Sequence, residues 1–153
     1  MAPTDLGAIP RHVRWTPHHS VGVEEIDAQH RELFRRVDLF LAALSEKRGR
    51  RELEPLIKYL KSYVHEHFAE EQQLMEFSGY PDLGDHLEEH HGFEARFGVL
   101  AEELSRTGPT LGLARRLVAL LVGWLEQHLA TTDRRFGLYL SKFRAHRTRK
   151  PSA

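Results

Sequence analysis

Apolar residues recur along this chain at three- and four-residue intervals, in four long stretches separated by short clusters of Gly, Pro and Ser. That period is helical. The spacing predicts a first helix over about Glu24–Lys47, with Ile26, His30, Leu33, Phe34, Val37, Leu41 and Leu44 on one face and Gly49 as its stop. A second covers about Glu52–Phe77, with Pro55 tolerated in its first turn and a stripe of Leu53, Leu56, Leu60, Tyr63, His67, Glu71 and Leu74. Ser78-Gly79-Tyr80-Pro81 breaks the chain before a third helix over about Asp82–Arg106, striped by His86, His90, Phe93, Phe97, Leu100 and Leu104. Gly108-Pro109 is the next stop. Thr110 is then the candidate N-cap of a fourth helix from about Leu111, which shows Leu117, Leu121, Trp124 and His128, with a short basic helix after Asp133. The fold class expected is all-α, an up-down-up-down four-helix bundle over residues 23–146. An extended N-terminal arm with three prolines (1–22) precedes it, and a basic tail (147–153) follows.

The polar residues that interrupt these stripes change the picture. Every stripe carries a histidine, and a buried imidazole needs a partner or loses stability. In chain order, His30, His67, Glu71, His86, His90, His128 and Asp133 form a series of five histidines and two carboxylates. His67–Glu71 and His86–His90 are i,i+4 pairs, about 40° apart around a helix and so on one face. At ~1.5 Å of rise per residue, an up-and-down path places His30 and Glu71 ~9 Å from one end, His67 ~15 Å, His86 ~6 Å, His90 ~12 Å, and His128 ~7 Å above Asp133. All seven groups therefore share one layer near one end of the bundle, and together they suffice to hold two metal ions. One spacing resists. Five α-helical steps put Asp133 ~140° from His128, so the fourth helix must bend, end or be covered there.

Composition narrows the function. A chain of 153 residues is long enough for one domain with a real core. Lys plus Arg and Asp plus Glu balance at 22 each, so no global charge argues for nucleic acid or an anionic membrane. The absence of cysteine excludes disulfides, thiolate catalysis, iron–sulfur clusters and cysteine-type zinc sites. No apolar core of a secretory signal occurs in the first twenty residues, and the longest apolar stretch, Leu117–Leu125, falls far short of the ~20 residues of a membrane span. A cytoplasmic protein is expected. His65-Glu66 opens a zinc-protease pattern, but Ala69 stands where its second histidine belongs. His65, His91, His12, His18 and His146 are expected at the surface. The basic segment near Lys142–Lys150 reads as a solvated helix C-terminus.

Five segments in order, from W-T-P-H-H-S-V-G-V-E-E-I-D-A-Q-H through Y-V-H-E-H-F-A-E-E, L-M-E-F-S-G-Y-P and H-L-E-E-H-H-G-F to W-L-E-Q-H-L-A-T-T-D, are similar to the hemerythrin signature, specifically that of single-domain bacterial hemerythrins. The resemblance covers about Trp15–Tyr139. It implies a non-haem di-iron, oxo- or hydroxo-bridged centre: one iron on His86, His90 and His128, the other on His30 and His67, with Glu71 and Asp133 bridging. It also implies that Phe68, Trp124, Leu125 and Leu129 wall an oxygen pocket. Two positions depart from the family pattern, Gln72 (often a glutamate) and His19 (commonly aromatic or aliphatic), and neither removes a ligand.

Imidazole and carboxylate donors suit iron. Two octahedral ions present twelve positions; five imidazoles, two bridging carboxylates and one oxygen bridge fill all but one, leaving a single vacancy on the iron with two histidines. That is a place for O2. Ferritin-like oxidases use four glutamates and two E-x-x-H motifs; here the only E-x-x-H, Glu88–His91, faces away from the stripe. Few carboxylates, and an apolar pocket with no obvious proton donor, favour reversible binding over oxygenation. The expected function is O2 storage, transport or delivery by a non-enzymatic monomer, with an oxygen-consuming enzyme as its recipient and no nucleic-acid or membrane partner. The alternatives are an oxygen or redox sensor, for which the chain holds no signalling module, and a di-iron redox enzyme acting on peroxide or nitrogen oxides.

Overall fold

A computed structural model describes residues 9–149; the parts of the expected arm and tail at 1–8 and 150–153 lie outside them. Helix α1 spans Glu24–Ser45, α2 Gly49–Ser78, α3 Leu83–Thr107 and α4 Leu111–Trp124. From Trp124 the same rod continues through a π-helical segment, Leu125–Asp133, into α5, Arg134–Arg149. Each of the four main helices packs on its neighbours in sequence, and α4 closes the bundle against α1. The all-α up-down-up-down bundle predicted from the periodicity is the fold observed. Among the described residues, no helix is long and apolar enough to cross a membrane.

The caps follow from the local sequence. Thr110 accepts a hydrogen bond from the Leu113 amide, as expected of an N-cap. Gly79, with φ of 64°, ends α2 in the left-handed conformation, and Tyr80 N–H reaches back to the Met75 carbonyl. The first turn of the bundle differs from expectation. Lys47, not Gly49, takes the positive φ that stops α1, and Gly49 instead opens α2 three residues before the predicted start. Its value is space: a Cβ there would meet the Leu44 side chain at 2.3 Å. The arm also contains one 3₁₀ turn, Pro17–His19, so it is not extended throughout.

Two apolar clusters form. The larger fills the bundle interior with Leu33, Leu60, Phe93, Leu117, Leu121 and their neighbours. The smaller gathers Val21, Val23, Ile26, Met75, Tyr80, Phe136 and Leu140 across one end. The arm belongs to this second cluster because it is tied down on both sides. Asp27, buried in the first turn of α1, accepts hydrogen bonds from Ser20 Oγ (2.5 Å) and the Val21 amide (2.8 Å). On the other side Gly137 lets the Val21 backbone lie directly on α5; a Cβ at residue 137 would come within 2.0 Å of the Val21 carbonyl oxygen. Gly137→Ala should therefore force the arm and α5 apart and cost about 1–3 kcal/mol, as overpacking does. Thermal unfolding of the variant measures it, and an unchanged midpoint would show that the arm is not seated there.

Candidate metal centre

Each main helix passes from one apolar cluster to the other, and at the crossing each presents the polar residues of the series. On α1, His30 lies between Ile26 and Leu33; on α2, His67 and Glu71 precede Met75; on α3, His86 and His90 lie between Tyr80 and Phe93; on the last rod, His128 and Asp133 lie between Leu125 and Phe136. None of the seven is more than 2% exposed. The fold thus sinks a polar layer between two dry ones.

The seven side chains converge. Ligand atoms of Glu71, His86, His90, His128 and Asp133 lie within 4.8 Å of one another, and those of His30, His67 and Asp133 form a second such group. Asp133 belongs to both: Oδ1 is 2.9 Å from His128 Nε2 and 3.1 Å from His86 Nε2, while Oδ2 is 3.1 Å from His30 Nε2. Glu71 spans in the same sense, with Oε1 3.4 Å from His86 Nε2 and Oε2 at 3.2 Å from His90 Nε2 and 3.5 Å from His67 Nε2. Despite these distances, the Nε2 atoms of His30, His86, His90 and His128 and all four carboxylate oxygens lack an aligned hydrogen-bond partner. Atoms that are close but misaligned point at shared points between them, not at each other. A buried polar cluster left in that condition is costly unless a cation completes it, and the donor set, imidazole nitrogens with carboxylate oxygens and no sulfur, fits iron.

The π-helical segment resolves the awkward spacing of His128 and Asp133. The rod neither bends away nor ends at Asp133. With i→i+5 bonding, residues five apart stack on one face, and Asp133 is brought beneath His128, where α-helical winding would have turned it away.

The electrostatics divide the imidazoles. Burial pushes His67 down to about 4, against the pull of Glu71, so it is neutral at neutral pH with a free lone pair. Burial also lowers His90, with the nearby Glu71 carboxylate opposing. Burial lowers His86 too, but the adjacent Asp133 and Glu71 carboxylates outweigh it and raise the ring to about 10. His128 is raised for the same reason, by Asp133. Burial disfavours ionisation of Asp133, yet His128, His30 and His86 hold its carboxyl well below the usual range. Glu71 is lowered as well, against burial and the charge of Asp133, by His86, His90 and His67. Both carboxylates are ionised, and His86 must yield its proton to a metal.

Residues 21–139 match the family model described as the hemerythrin HHE cation binding domain. The chain belongs to the hemerythrin family. It is 29% identical over 133 residues to a bacteriohemerythrin of Stenotrophomonas maltophilia, covering 86% of this chain and 82% of that protein. It is 35% identical over 125 residues to the hemerythrin subunit beta of Lingula anatina and 27% identical over 125 residues to myohemerythrin-1 of Phascolopsis gouldii, each alignment covering 82% of this chain and 92% of the relative. The hemerythrin domain binds a di-iron centre, and the buried His/Glu/Asp cluster could hold the metals.

The four residues expected to wall a hemerythrin oxygen pocket are buried around the cluster. Phe68 stacks on His90 at 3.9 Å between ring centroids, and Trp124 stacks on His128 at 3.8 Å. Leu125 and Leu129 lie beside them in the larger apolar cluster. The two departures from the family pattern sit apart: Gln72 donates to Glu76, and His19 packs on Phe34 while its Nδ1 accepts from the Thr16 amide. His65, His91, His12, His18 and His146 are exposed, as expected.

Three residues near the cluster escaped the sequence. Gln29 Oε1 accepts from His67 Nδ1 at 2.5 Å, and its amide nitrogen donates to Glu70. Glu89 Oε2 accepts from His128 Nδ1 at 2.5 Å, and its Oε1 accepts from Thr132 Oγ at 3.1 Å. Both lie on the solvent side of their helices, so nothing in the apolar stripe marks them. Tyr63 stands on the stripe and reads there as core; its ring stacks on His67 at 4.7 Å and 14°. Burial raises its phenol well above the usual pKa, and the charges of Asp133 and Glu71 act on it in the same direction, so it keeps its proton.

The carboxylate of Glu89 fixes the His128 ring and its tautomer, and such outer partners are worth roughly 10–100-fold in metal affinity. Glu89→Ala should lose iron to a chelator faster than wild type by that order, with helical content unchanged. Equal retention would mean that His128 needs no orientation.

Proposed function

We propose that this chain binds O2 reversibly at a di-iron centre, for storage, transport or delivery. In this reading His86, His90 and His128 would hold one iron and His30 and His67 the other, with Glu71 and Asp133 shared between the two. The observation that carries it is the convergence of seven buried donor groups in two adjoining clusters, with the facing atoms of six of them lacking an aligned hydrogen-bond partner. When bound, the iron pair would supply the two electrons that O2 binding draws on.

The chain's own residues do the rest. Gln29 and Glu89 orient one imidazole on each side. Phe68, Trp124, Leu125 and Leu129, with the smaller cluster of Ile26, Met75 and Phe136 behind the centre, exclude water and with it the protons that would drive oxidation of the iron. Among the described residues, no helix carries a second acidic cluster of the kind a carboxylate-rich oxidase needs. These features favour binding over enzymatic turnover. We place the chain in the cytoplasm as a monomer that passes O2 to an oxygen-consuming enzyme, a reading with which its balanced charge agrees.

Cycling the anaerobically reduced protein between air and argon tests the proposal. An oxygen-dependent visible band should appear and bleach repeatedly without added reductant. A band that forms once and never reverses would support a sensor or redox enzyme instead.

A further inference from the structure

Among the described side chains around the centre, Tyr63 carries a polar atom for which the site as described has no use. It is 7% exposed, and its hydroxyl is buried with no hydrogen-bond partner. A phenylalanine would fill the same space and avoid the cost of desolvating that hydroxyl. An unpaired buried donor that the fold tolerates calls for an explanation beyond packing.

Its position supplies one. The Tyr63 ring lies face to face on His67 at 4.7 Å and edge-on to Phe68 at 6.4 Å, so it shares the apolar wall beside the two-histidine side of the centre. The wall's other unpartnered donor, the Trp124 indole nitrogen, belongs to a ring that stacks on His128 and adjoins His90, on the three-histidine side. Among the described residues, only Tyr63 brings a buried, unpartnered O–H to the His30–His67 side. The expectation of a pocket without a proton donor therefore needs revision.

We propose that the Tyr63 hydroxyl donates a hydrogen bond to the small ligand held on the His30–His67 side, whether O2 or an anion such as azide. The inference rests on the di-iron reading above and adds to it a residue that positions and retains the ligand. The phenol stays neutral and gives up no proton; it acts as a donor in a dry pocket, where one added hydrogen bond carries its full weight.

Tyr63→Phe removes only the hydroxyl. The metal-free variant should melt at or above the wild-type temperature, because an unsatisfied group has gone. In the iron-loaded oxidised protein, azide should bind roughly five- to tenfold more weakly, the effect of losing one hydrogen bond. O2 should leave the reduced, oxygenated variant faster by a similar factor. A metal-free variant less stable than wild type would give the hydroxyl a structural role and overturn the proposal. So would unchanged azide affinity and O2 release. Wild-type protein that binds azide but not O2 would refute the oxygen-carrier reading while leaving the azide comparison to decide the role of Tyr63.

Discussion

Replacing Glu71 by alanine should bring the iron content below one equivalent per chain, the largest single-residue effect we expect. Glu71, like Asp133, reaches histidines of both groups: its oxygens face His86 and His90 of the three-histidine group, and Oε2 also faces His67 of the other. On the proposed assignment, removing it would take one donor from each metal and one of the two buried negative charges from the cluster. The remaining histidines then face uncompensated dications in a medium that screens them poorly. Iron analysis of protein reconstituted under argon is the measurement, with His146→Ala as the control, because His146 is exposed on the last turn of α5. A Glu71→Ala protein that keeps two irons would dismantle the ligand assignment.

Leu125→Ala should leave iron content unchanged and raise the autoxidation rate well above wild type. Leu125 opens the π-helical segment, packs inward with Trp124 and Leu129, and on its outer side borders a cavity of about 270 Å³ shared with Val13, His19 and Phe34 of the arm and α1. Truncation joins that outer cavity to the interior and admits water. The lost packing adds a stability cost of about 2–5 kcal/mol, the usual range for a buried leucine, so the comparison should be made well below the unfolding temperature. A folded, fully loaded variant with wild-type autoxidation would place the barrier to water elsewhere.

Helical periodicity and a histidine on every stripe made the bundle and the seven donor positions legible, because both depend on spacing along one face. The structure brings all seven into one buried layer. What spacing left open was geometry that spacing does not encode. The His128–Asp133 interval conflicts with an α-helix and is reconciled by a change in helix type over Leu125–Asp133, which apolar periodicity does not announce. Gln29 and Glu89 sit on polar faces where a ring's second partner looks like any solvated residue. Asp27 and Gly137 act on the arm through contacts distant in sequence, and the Lys47 turn shows a stop moved off the nearest glycine because Gly49 was needed for close packing. Tyr63 was placed in the core correctly, but periodicity treats its ring as apolar and says nothing of its hydroxyl.

The most direct test is gas titration of the reduced protein at known iron content. Seven ligands around two irons with one open position predict two irons per chain and one O2 taken up per two irons, recovered on evacuation over repeated cycles. One iron per folded chain, or O2 consumed and not recovered, would contradict the account.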